Sequence, residues 1–351
     1  MSLVKTLPDR PLDIIGDIHG EIDALELLLE RLGYRPDGAH PDNRIPVFIG
    51  DLVDRGPDSH GVVRRVQDLV ENHGAQAILG NHELNLLTND IKDGSGWFFD
   101  ERNEQDQKNY APFSRTPVSE RNDIRSFLNG LPVALTGQGL RLIHAAWVDE
   151  AIYKIKDVPL GRITESFHEW DDLARRNAES TGLYDAYLNE KDRWRVELED
   201  DLQPPPFLES IARYEATQQM INPFKVLTSG VEQRASVPFY AGGRWRFSDR
   251  INWWDHYQGT EKVVMGHYWR LYKQPITSAS PRFTQLFKSI PSNAWFGQAN
   301  KVFCIDYSVG ARWRDRKANR LVSASKFKLG ALRWPEKKLV FDDGTEDITV
   351  G

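Results

Sequence analysis

Five short apolar runs along the chain each end in a small group of polar residues, and this repetition constrains the fold more than any other feature. The runs with their polar ends are IIGDIHG up to Gly20, FIGDLVDRG up to Gly56, ILGNHE up to Glu83, LIHA up to Ala145 and VVMGH up to His267. In open α/β sheets, ligands gather beyond the carboxyl ends of the strands, where rigid strands lead into loops. The pattern therefore predicts an α/β fold with one site built from several strand ends.

Residues 11–90 alternate between strand-like and helical patterns. LDIIGD, IPVFIGD and AQAILGN are typical of buried strands, and EIDALELLLERLG and SHGVVRRVQDLVENHG between them have helical spacing. This βαβαβ alternation favours a mostly parallel sheet with helices on its face. Residues 131–147 predict two strands joined by a turn that contains glycine. Further predicted strands are EKVVMGHYW, KVFCIDYSV, LVSAS, LGALRW and KKLVF, all after residue 260.

The chain divides into three predicted segments. Residues 11–149 and 226–345 form two halves of one domain, and residues 150–225 form a helical insertion or cap, rich in charged and aromatic residues. Residues 94–125 predict a smaller polar excursion. A length of 351 residues exceeds what one small core needs and leaves room for such insertions.

Composition excludes several classes of protein. Forty-five Lys and Arg residues against 51 Asp and Glu give a formal charge of −6, which argues against broad nucleic-acid binding. The single cysteine, Cys304, predicts a buried strand residue and cannot form an internal disulfide. The first residues lack the apolar stretch of a signal peptide, and no segment is long enough to cross a membrane. We therefore expect a cytoplasmic protein without a membrane partner.

The residue types at the five strand ends suit a site for two metal ions. The predicted metal ligands are Asp17, His19, Asp51, Asn81, His144 and His267. Asp17 and His19 lie two positions apart, so both can point the same way in an extended segment, and the Asp51 carboxylate can bridge two ions. Mixed oxygen and nitrogen ligands favour manganese, with iron or zinc as alternatives, over calcium. Two divalent ions about 3.5–4 Å apart would hold phosphoryl oxygens and lower the pKa of a shared water toward ~7.

Three further residues complete a catalytic mechanism. His82, next to Asn81, can protonate a departing oxygen, and Asp54 can orient its imidazole. Arg55 offers a planar fork of donors for a phosphate. Arg55 and Asn81 are also the predicted contacts to the substrate.

These motifs resemble a known family. GDIHG, GDLVDRG and GNHE, followed by a strand-end histidine and a GH dipeptide, resemble the calcineurin-like metallophosphoesterases, specifically their phosphoprotein-phosphatase branch. The resemblance covers roughly residues 11–90, 126–150 and 260–340. It implies two packed mixed β-sheets flanked by helices, with Asp51 shared between two metals, His82 and Asp54 as the proton-donating pair and Arg55 as a phosphate ligand.

The implied activity is that of a metal-dependent phosphatase, a phosphoric monoester hydrolase similar to the Ser/Thr phosphatases. A hydroxide bound between the two ions would attack a phosphorylated small molecule, a nucleotide or a phosphoprotein. His144-Ala145-Ala146 replaces the His-Gly-Gly of eukaryotic protein phosphatases and is closer to bacterial dinucleoside-tetraphosphatase relatives. Symmetrical cleavage of dinucleoside polyphosphates is therefore one alternative. A non-catalytic scaffold that retains the fold is another, but it predicts missing ligands, and every expected ligand type is present.

Other conspicuous residues have simpler interpretations. Seven of the eleven tryptophans lie between residues 245 and 334, where core packing is favoured over a stacking platform for a base. Trp170, Trp194 and Tyr184 are candidates for one side of a cleft, on helices that more simply present a solvated face. Candidates for a second phosphate-binding arginine are Arg244 and Arg250. The histidines without a predicted role are His40, His60, His73, His168 and His256.

Overall fold

The computed structural model describes residues 2–241, 244–276, 282–321 and 324–351. Its strands are β1 (Val4–Thr6), β2 (Leu12–Ile15), β3 (Ile45–Phe48), β4 (Gln76–Ala77), β5 (Ala134–Gly137), β6 (Leu140–Ile143), β7 (Glu232–Ala241), β8 (Arg244–Arg250), β9 (Lys262–Met265), β10 (Val302–Cys304), β11 (Gly330–Trp334), β12 (Lys338–Phe341) and β13 (Glu346–Ile348). Its α-helices are α1 (Ile22–Leu32), α2 (Ser59–Asn72), α3 (Asn81–Leu87), α4 (Asp100–Tyr110), α5 (Arg121–Asn129), α6 (Asp149–Ile155), α7 (Ile163–Ser180), α8 (Leu183–Arg193), α9 (Glu209–Ile221), α10 (Pro223–Ser229) and α11 (Trp313–Lys317).

Two mixed sheets form the body of the molecule. The six-stranded sheet has the order β13-β12-β11-β2-β3-β4, in which β2, β3 and β4 are parallel. Helices α1 and α2 connect these three strands, so the predicted βαβαβ unit is confirmed. The five-stranded sheet has the order β1-β5-β6-β9-β10, in which only the β5–β6 pair is antiparallel.

The two sheets pack face to face because successive side chains in their strands point alternately to the other sheet and to the helices. In β2, Ile14 belongs to a buried apolar cluster shared with strands of the other sheet, whereas Ile15 belongs to the cluster that includes the helices. Val47 and Phe48 divide in the same way in β3. Side chains at successive strand positions point to opposite faces, so a fully apolar strand has one face on each layer. The predicted fold, two packed mixed sheets flanked by helices, is confirmed.

Helices α6–α10 occupy residues 149–229, slightly beyond the 150–225 predicted to be a helical insertion, and the hairpin β7–β8 follows them. The hairpin packs on these helices around a small apolar core that includes Leu208, Ile211 and Phe247. The backbone N–H of Trp245 donates to Leu198 O at 2.8 Å, and Arg234 pairs with Glu209 at 2.8 Å. The hairpin thus associates with the preceding helices as well as with the sequence that follows it.

Most predicted strands after residue 130 are present, namely β5, β6, β9, β10, β11 and β12. The predicted strand LVSAS is an exception. Its residues 322–323 lie outside the described ranges, and the described residues on either side are not in a strand. Within the described part of the chain, every helix is too short or too polar to cross a lipid bilayer.

Candidate metal centre

All nine predicted site residues come together where the two sheets meet. Asp17 and His19 follow β2; Asp51, Asp54 and Arg55 follow β3; Asn81 and His82 begin α3 just after β4; His144 follows β6, and His267 follows β9. The first three strands belong to one sheet and the last two to the other. The carboxyl ends of parallel strands meet at one edge, which explains why residues up to 250 positions apart in the chain are in contact.

Two groups of possible ligand atoms share one carboxylate. Atoms of His19, Asp51 and His82 lie within 4.8 Å of one another, and so do atoms of Asp51, His144 and His267. Asp51 Oδ2 lies 3.7 Å from His19 Nε2 and 3.3 Å from His144 Nε2. A carboxylate between two clusters of imidazoles is the arrangement that two neighbouring cations require.

The other two predicted ligands border these groups. The Asn81 amide oxygen lies 3.3 Å from His144 Nε2. The Asp17 carboxylate accepts the backbone N–H of His267 at 3.0 and 3.2 Å. In the described ranges, Asp17 belongs to neither group of atoms within 4.8 Å. It contacts His267, one of the two residues of the second group that follow strands of the other sheet.

The imidazoles are oriented as metal ligands are. His19 Nδ1 lies 3.0 Å from the Val53 carbonyl and His144 Nδ1 lies 2.8 Å from the Ile49 carbonyl, so in both rings Nε2 is directed to the site. Metal-ligating histidines usually donate their second ring N–H to a carbonyl or carboxylate in this way. A backbone carbonyl accepts but cannot donate, so Nδ1 carries the proton in each ring.

The surroundings of the His267 ring show whether the residues present fit a metal ion. Its Nε2 atom is buried and has no hydrogen-bond partner among the described residues. Burial, together with the charge of Arg250, holds the pKa of His267 well below its usual range, so the ring is neutral and keeps a free lone pair. Buried polar atoms are nearly always paired, and an unpaired one is explained by an ion or water that binds there. The residues present therefore fit a divalent cation.

Asp51 and His144 form the electrostatic centre of the site. Burial opposes ionisation of Asp51, but the charges of His144 and His82 outweigh it and hold the pKa of Asp51 well below its usual range. Burial likewise opposes a charge on His144, yet the Asp51 carboxylate raises the pKa of His144 to about 10. Without a cation, the proton on His144 compensates the Asp51 charge. A bound cation would take over that role and displace the proton.

His82 and Asp54 are hydrogen-bonded as the sequence predicted. His82 Nδ1 lies 2.6 Å from Asp54 Oδ2, and the indole N–H of Trp97 donates to Asp54 Oδ1 at 2.6 Å. Both carboxylate oxygens are therefore engaged, which fixes the carboxylate and, through it, the imidazole. Nε2 of His82 is left to face Arg55, whose Nη2 lies 3.0 Å away. Trp97 was missed by sequence reasoning because nothing in the motif indicates a partner from the 94–125 segment.

Arg55 lies between the two histidines of the first group. Its Nη1 donates to His19 Nε2 at 3.0 Å, and its backbone carbonyl accepts Arg316 Nη2 at 3.5 Å. Arg316 also forms a 2.6 Å ion pair with the buried Glu21. The loop that carries Arg55 is therefore fastened by helix α11, a contact between residues 261 positions apart.

Glu83, the last residue of the GNHE motif, has a structural role that sequence reasoning did not assign. Its buried carboxylate accepts the backbone N–H groups of Gly80 at 2.8 Å, Asp51 at 2.9 Å, Leu52 at 2.8 Å and Val53 at 3.3 Å. Burial and then the Asp51 charge raise the pKa of Glu83 to about 7. The side chain joins the β3 loop to the start of α3 and thereby sets the position of Asp51.

Several site residues have a strained backbone. Positive φ angles occur at His19 (49°), Asp51 (48°), Asp54 (75°), Arg55 (69°) and His267 (64°). Non-glycine residues seldom adopt this conformation, and these five are among fourteen such residues in the described part of the chain. The glycine of the GH dipeptide has a related purpose. A Cβ on Gly266 would lie 2.1 Å from Asp17 Oδ1, so no larger residue fits there.

Asp306 is a further buried carboxylate at the site that sequence reasoning missed. It follows β10, its Oδ1 accepts the Ser308 N–H at 2.7 Å, and its Oδ2 has no partner among the described residues. Burial first, and then the Asp51 charge, raise the pKa of Asp306 to about 6. The apolar run KVFCI that precedes Asp306 is the same strand-end signal that indicated the predicted ligands.

The two candidates for a second phosphate-binding arginine, Arg250 and Arg244, have different surroundings. Arg250 lies beside His267, and its Cζ is 5.7 Å from the Tyr268 ring. Arg244 instead forms an ion pair with Glu215 in the hairpin region, so it is the weaker candidate for a phosphate ligand.

The three proposed cleft aromatics take part in packing. Trp170 packs against the main core and Trp194 against the small core of the hairpin region. Tyr184 joins a tyrosine cluster with Tyr187 and Tyr214. Helix and core packing accounts for these contacts.

Two relatives with local sequence similarity to this chain are bis(5'-nucleosyl)-tetraphosphatases. A 73-residue segment is 48% identical to an asymmetrical bis(5'-nucleosyl)-tetraphosphatase from Halalkalibacterium halodurans, covering 20% of this chain and 30% of that protein. An 82-residue segment is 44% identical to a symmetrical bis(5'-nucleosyl)-tetraphosphatase from Ralstonia nicotianae, covering 23% of this chain and 26% of that protein. The chain thus matches less than a third of the length of either relative.

Among solved structures, a protein serine/threonine phosphatase from Saccharomyces cerevisiae aligns over all of this chain and 85% of its own, with 14% identity and a TM-score of 0.47. That similarity is too weak to carry an argument. The family profile described as calcineurin-like phosphoesterase matches residues 10–206, more than half of the chain. The chain therefore belongs to the calcineurin-like phosphoesterase family.

Proposed function

We propose that this protein is a hydrolase of phosphoester bonds that depends on two divalent metal ions. The observation that carries the proposal is that Asp51 belongs to both groups of ligand atoms, one with His19 and one with His144 and His267. A structural single-ion site needs only one closed set of ligands. Two sets that share a carboxylate are expected where two ions act on one substrate.

The proposed ligands divide between two ions. Asp17 and His19, together with Asp51, would hold one, and Asn81, His144 and His267, again with Asp51, would hold the other. When bound, the ions would polarise phosphoryl oxygens and make a water molecule acidic enough to attack at neutral pH. Oxygen and nitrogen donors support manganese as the metal, with iron or zinc as alternatives.

His82 and Asp54 would form the proton-donating pair. The Asp54 carboxylate accepts the Nδ1–H of His82 and would stabilise an imidazolium. His82 Nε2 accepts Arg55 Nη2 at 3.0 Å, so Nε2 would carry the proton for the departing oxygen once Arg55 binds the phosphate instead. His82 Nε2 also lies among the atoms of the first group. We favour the proton donor over a metal ligand because Asp54 is itself fixed by Trp97, an arrangement suited to a charged imidazole.

Arg55 would bind and orient the phosphate. Its guanidinium already faces both His19 and His82, and the fork of N–H groups suits two phosphoryl oxygens at once. Arg250, beside His267, is placed to contribute a second positive charge. Arg316 would act as a positioning residue, since it touches the backbone of Arg55 rather than the substrate.

We propose two classes of substrate, nucleotides and phosphoproteins. The relatives named as bis(5'-nucleosyl)-tetraphosphatases favour a nucleotide, and the His144-Ala145 pair supports the same choice. The non-catalytic scaffold is disfavoured because each predicted ligand position holds a suitable residue near the others. The cytoplasmic location expected from the sequence stays a prediction.

The test is metal-dependent turnover. We expect chelation to abolish hydrolysis of an aryl phosphate and Mn²⁺ to restore it, with about two metal ions bound per chain. Asp51→Asn should weaken both ions, whereas the matched control Asp172→Asn, on the exposed part of α7, should change neither binding nor turnover. Full activity in a rigorously metal-free sample would refute the proposal.

A further inference from the structure

Two of the seven tryptophans between residues 245 and 334 lie outside the buried apolar clusters formed by the described residues. Trp253, Trp254 and Trp295 are buried, and Trp245 and Trp334 pack against the apolar clusters. The other two, Trp269 and Trp313, are half-buried, and neither belongs to any of the three clusters. Trp269 comes two residues after His267, and Trp313 begins α11, the helix that contacts the Arg55 loop.

These two indoles alternate with three cations in a continuous row. Arg55 Cζ lies 5.2 Å from the centre of the Trp269 ring, and Arg314 Cζ lies 5.9 Å from the same ring. Arg314 Cζ is also 5.3 Å from the Trp313 ring, and Lys317 Nζ is 5.6 Å from that ring. We call this set, Arg55, Trp269, Arg314, Trp313 and Lys317, the indole–cation row. It begins at the proposed phosphate ligand and runs outward along α11.

The outer cations of the row lack internal counter-ions. Around α11, Arg312 pairs with Asp342, Arg316 with Glu21 and Arg320 with Asp315. Within the described ranges, neither Arg314 nor Lys317 lies within ion-pair distance of a carboxylate, and both are exposed. In a chain with a formal charge of −6, two uncompensated cations beside the site form a local region of positive potential.

Contacts with neighbouring residues hold Trp313 and helix α11 in place. The Tyr110 ring meets the Trp313 ring edge-on at 5.1 Å, and Tyr110 itself is buried with its hydroxyl bonded to Asp93. Arg316 fixes the other side of α11 through its 2.6 Å pair with Glu21. The Trp313 ring and the helix that carries Arg314 and Lys317 are therefore held in place, which reduces the entropic cost of binding a ligand there.

From this geometry we propose that the indole–cation row is a subsite for the part of the substrate beyond the scissile phosphate, and that it takes a further phosphate and an aromatic base. The proposal rests on the proposed function, because it assumes that the scissile phosphate sits at Arg55. The cations suit phosphate oxygens, and the indole faces suit a base, which stacks on aromatic rings whatever its identity. A phosphorylated peptide would use the cations but would bring no base to stack on the Trp313 ring.

The experiment compares three substrates in the Mn²⁺-loaded protein: an aryl phosphate, tripolyphosphate and adenosine triphosphate. Arg314→Ala/Lys317→Ala should lower the ratio of kcat/KM for either polyphosphate to that for the aryl phosphate roughly tenfold, the effect of losing one hydrogen bond to a charged group. Trp313→Ala should lower the ratio for adenosine triphosphate but not for tripolyphosphate, and Trp313→Phe should restore it. The control Arg175→Ala/Arg176→Ala removes the same charge from the exposed face of α7 and should leave every ratio unchanged.

A binding measurement separates this proposal from the proposed function. Quenching of tryptophan fluorescence by a non-hydrolysable adenosine triphosphate analogue reports occupancy of the row without turnover. If no substrate is hydrolysed but wild-type protein binds the analogue and the Arg314/Lys317 variant does not, the subsite stands and the hydrolase proposal fails. Equal changes for all three substrates would overturn the subsite. So would a larger loss with a phosphoserine peptide than with adenosine triphosphate.

Discussion

Substitution of Glu83 by Gln tests whether one buried side chain sets the geometry of the centre. The two carboxylate oxygens divide four backbone donors between them: Oε2 accepts from Asp51 and Gly80, and Oε1 accepts from Leu52 and Val53. Gln has the same size and shape but replaces one oxygen by an NH₂ group, which donates only. Whichever way the amide is oriented, two buried N–H groups lose their acceptor.

The cost follows from those two donors. A buried donor left without an acceptor costs about 1–3 kcal/mol, so Glu83→Gln should lower the free energy of unfolding by about 2–6 kcal/mol. That is a large share of the ~5–15 kcal/mol that stabilises a typical protein. The loop that carries Asp51 should loosen as well, so we also expect weaker Mn²⁺ binding.

Urea denaturation followed by tryptophan fluorescence measures the first effect. Glu104→Gln is the matched control: its side chain is 90% exposed and, among the described residues, pairs with Lys108 alone, so the change should stay within about 0.5 kcal/mol. If Glu83→Gln were no more destabilising than this control, Glu83 would not hold the loop, and the argument from its four hydrogen bonds would be wrong.

Two further substitutions separate catalysis from structure. His82→Ala should keep the fold and bound metal but lose roughly 10²–10⁴ in kcat, with a smaller loss for a nitrophenolate leaving group, which needs little protonation; an equal loss for good and poor leaving groups would argue against proton donation. Arg55→Ala should raise KM for phosphate esters and lower kcat with little change in melting temperature. Strong destabilisation with unchanged kinetics would give Arg55 a purely structural role.

The strands that sequence analysis missed are those with little apolar character. β13 and β7 are largely exposed, β8 is mostly half-buried but rich in charged residues, and β1 is a short strand at the edge of its sheet. Their backbone pairing is decided by neighbours far away in the chain rather than by alternation of apolar residues. Buried strands such as β2 and β3 were predicted correctly because both of their faces are covered, so their sequences are apolar apart from Asp13, which pairs with Arg44.

The residues of the site also divide into those that the local sequence predicts and those that depend on distant parts of the chain. The strand-end rule predicted Asp17, His19 and Asp51 because a motif that directly follows a buried strand must lie at the carboxyl end of that strand. The rule could have found Asp306, which also follows a strand, but Trp97 and Arg316 lie on helical segments whose docking no local spacing reveals. Ligand types are encoded locally, whereas the residues that orient them come from tertiary packing.

The position of the centre between two sheets has a consequence for stability. Asp51, from the six-stranded sheet, lies 3.3 Å from His144 of the five-stranded sheet, and Asp17 accepts the His267 N–H across the same boundary. Without a cation, these contacts between charged and polar groups join the carboxyl edges of the sheets. Ions bound there would bind the packed arrangement in preference to any state in which the sheets separate. Metal affinity and sheet packing would then be linked, since any ligand that binds only the native state stabilises it.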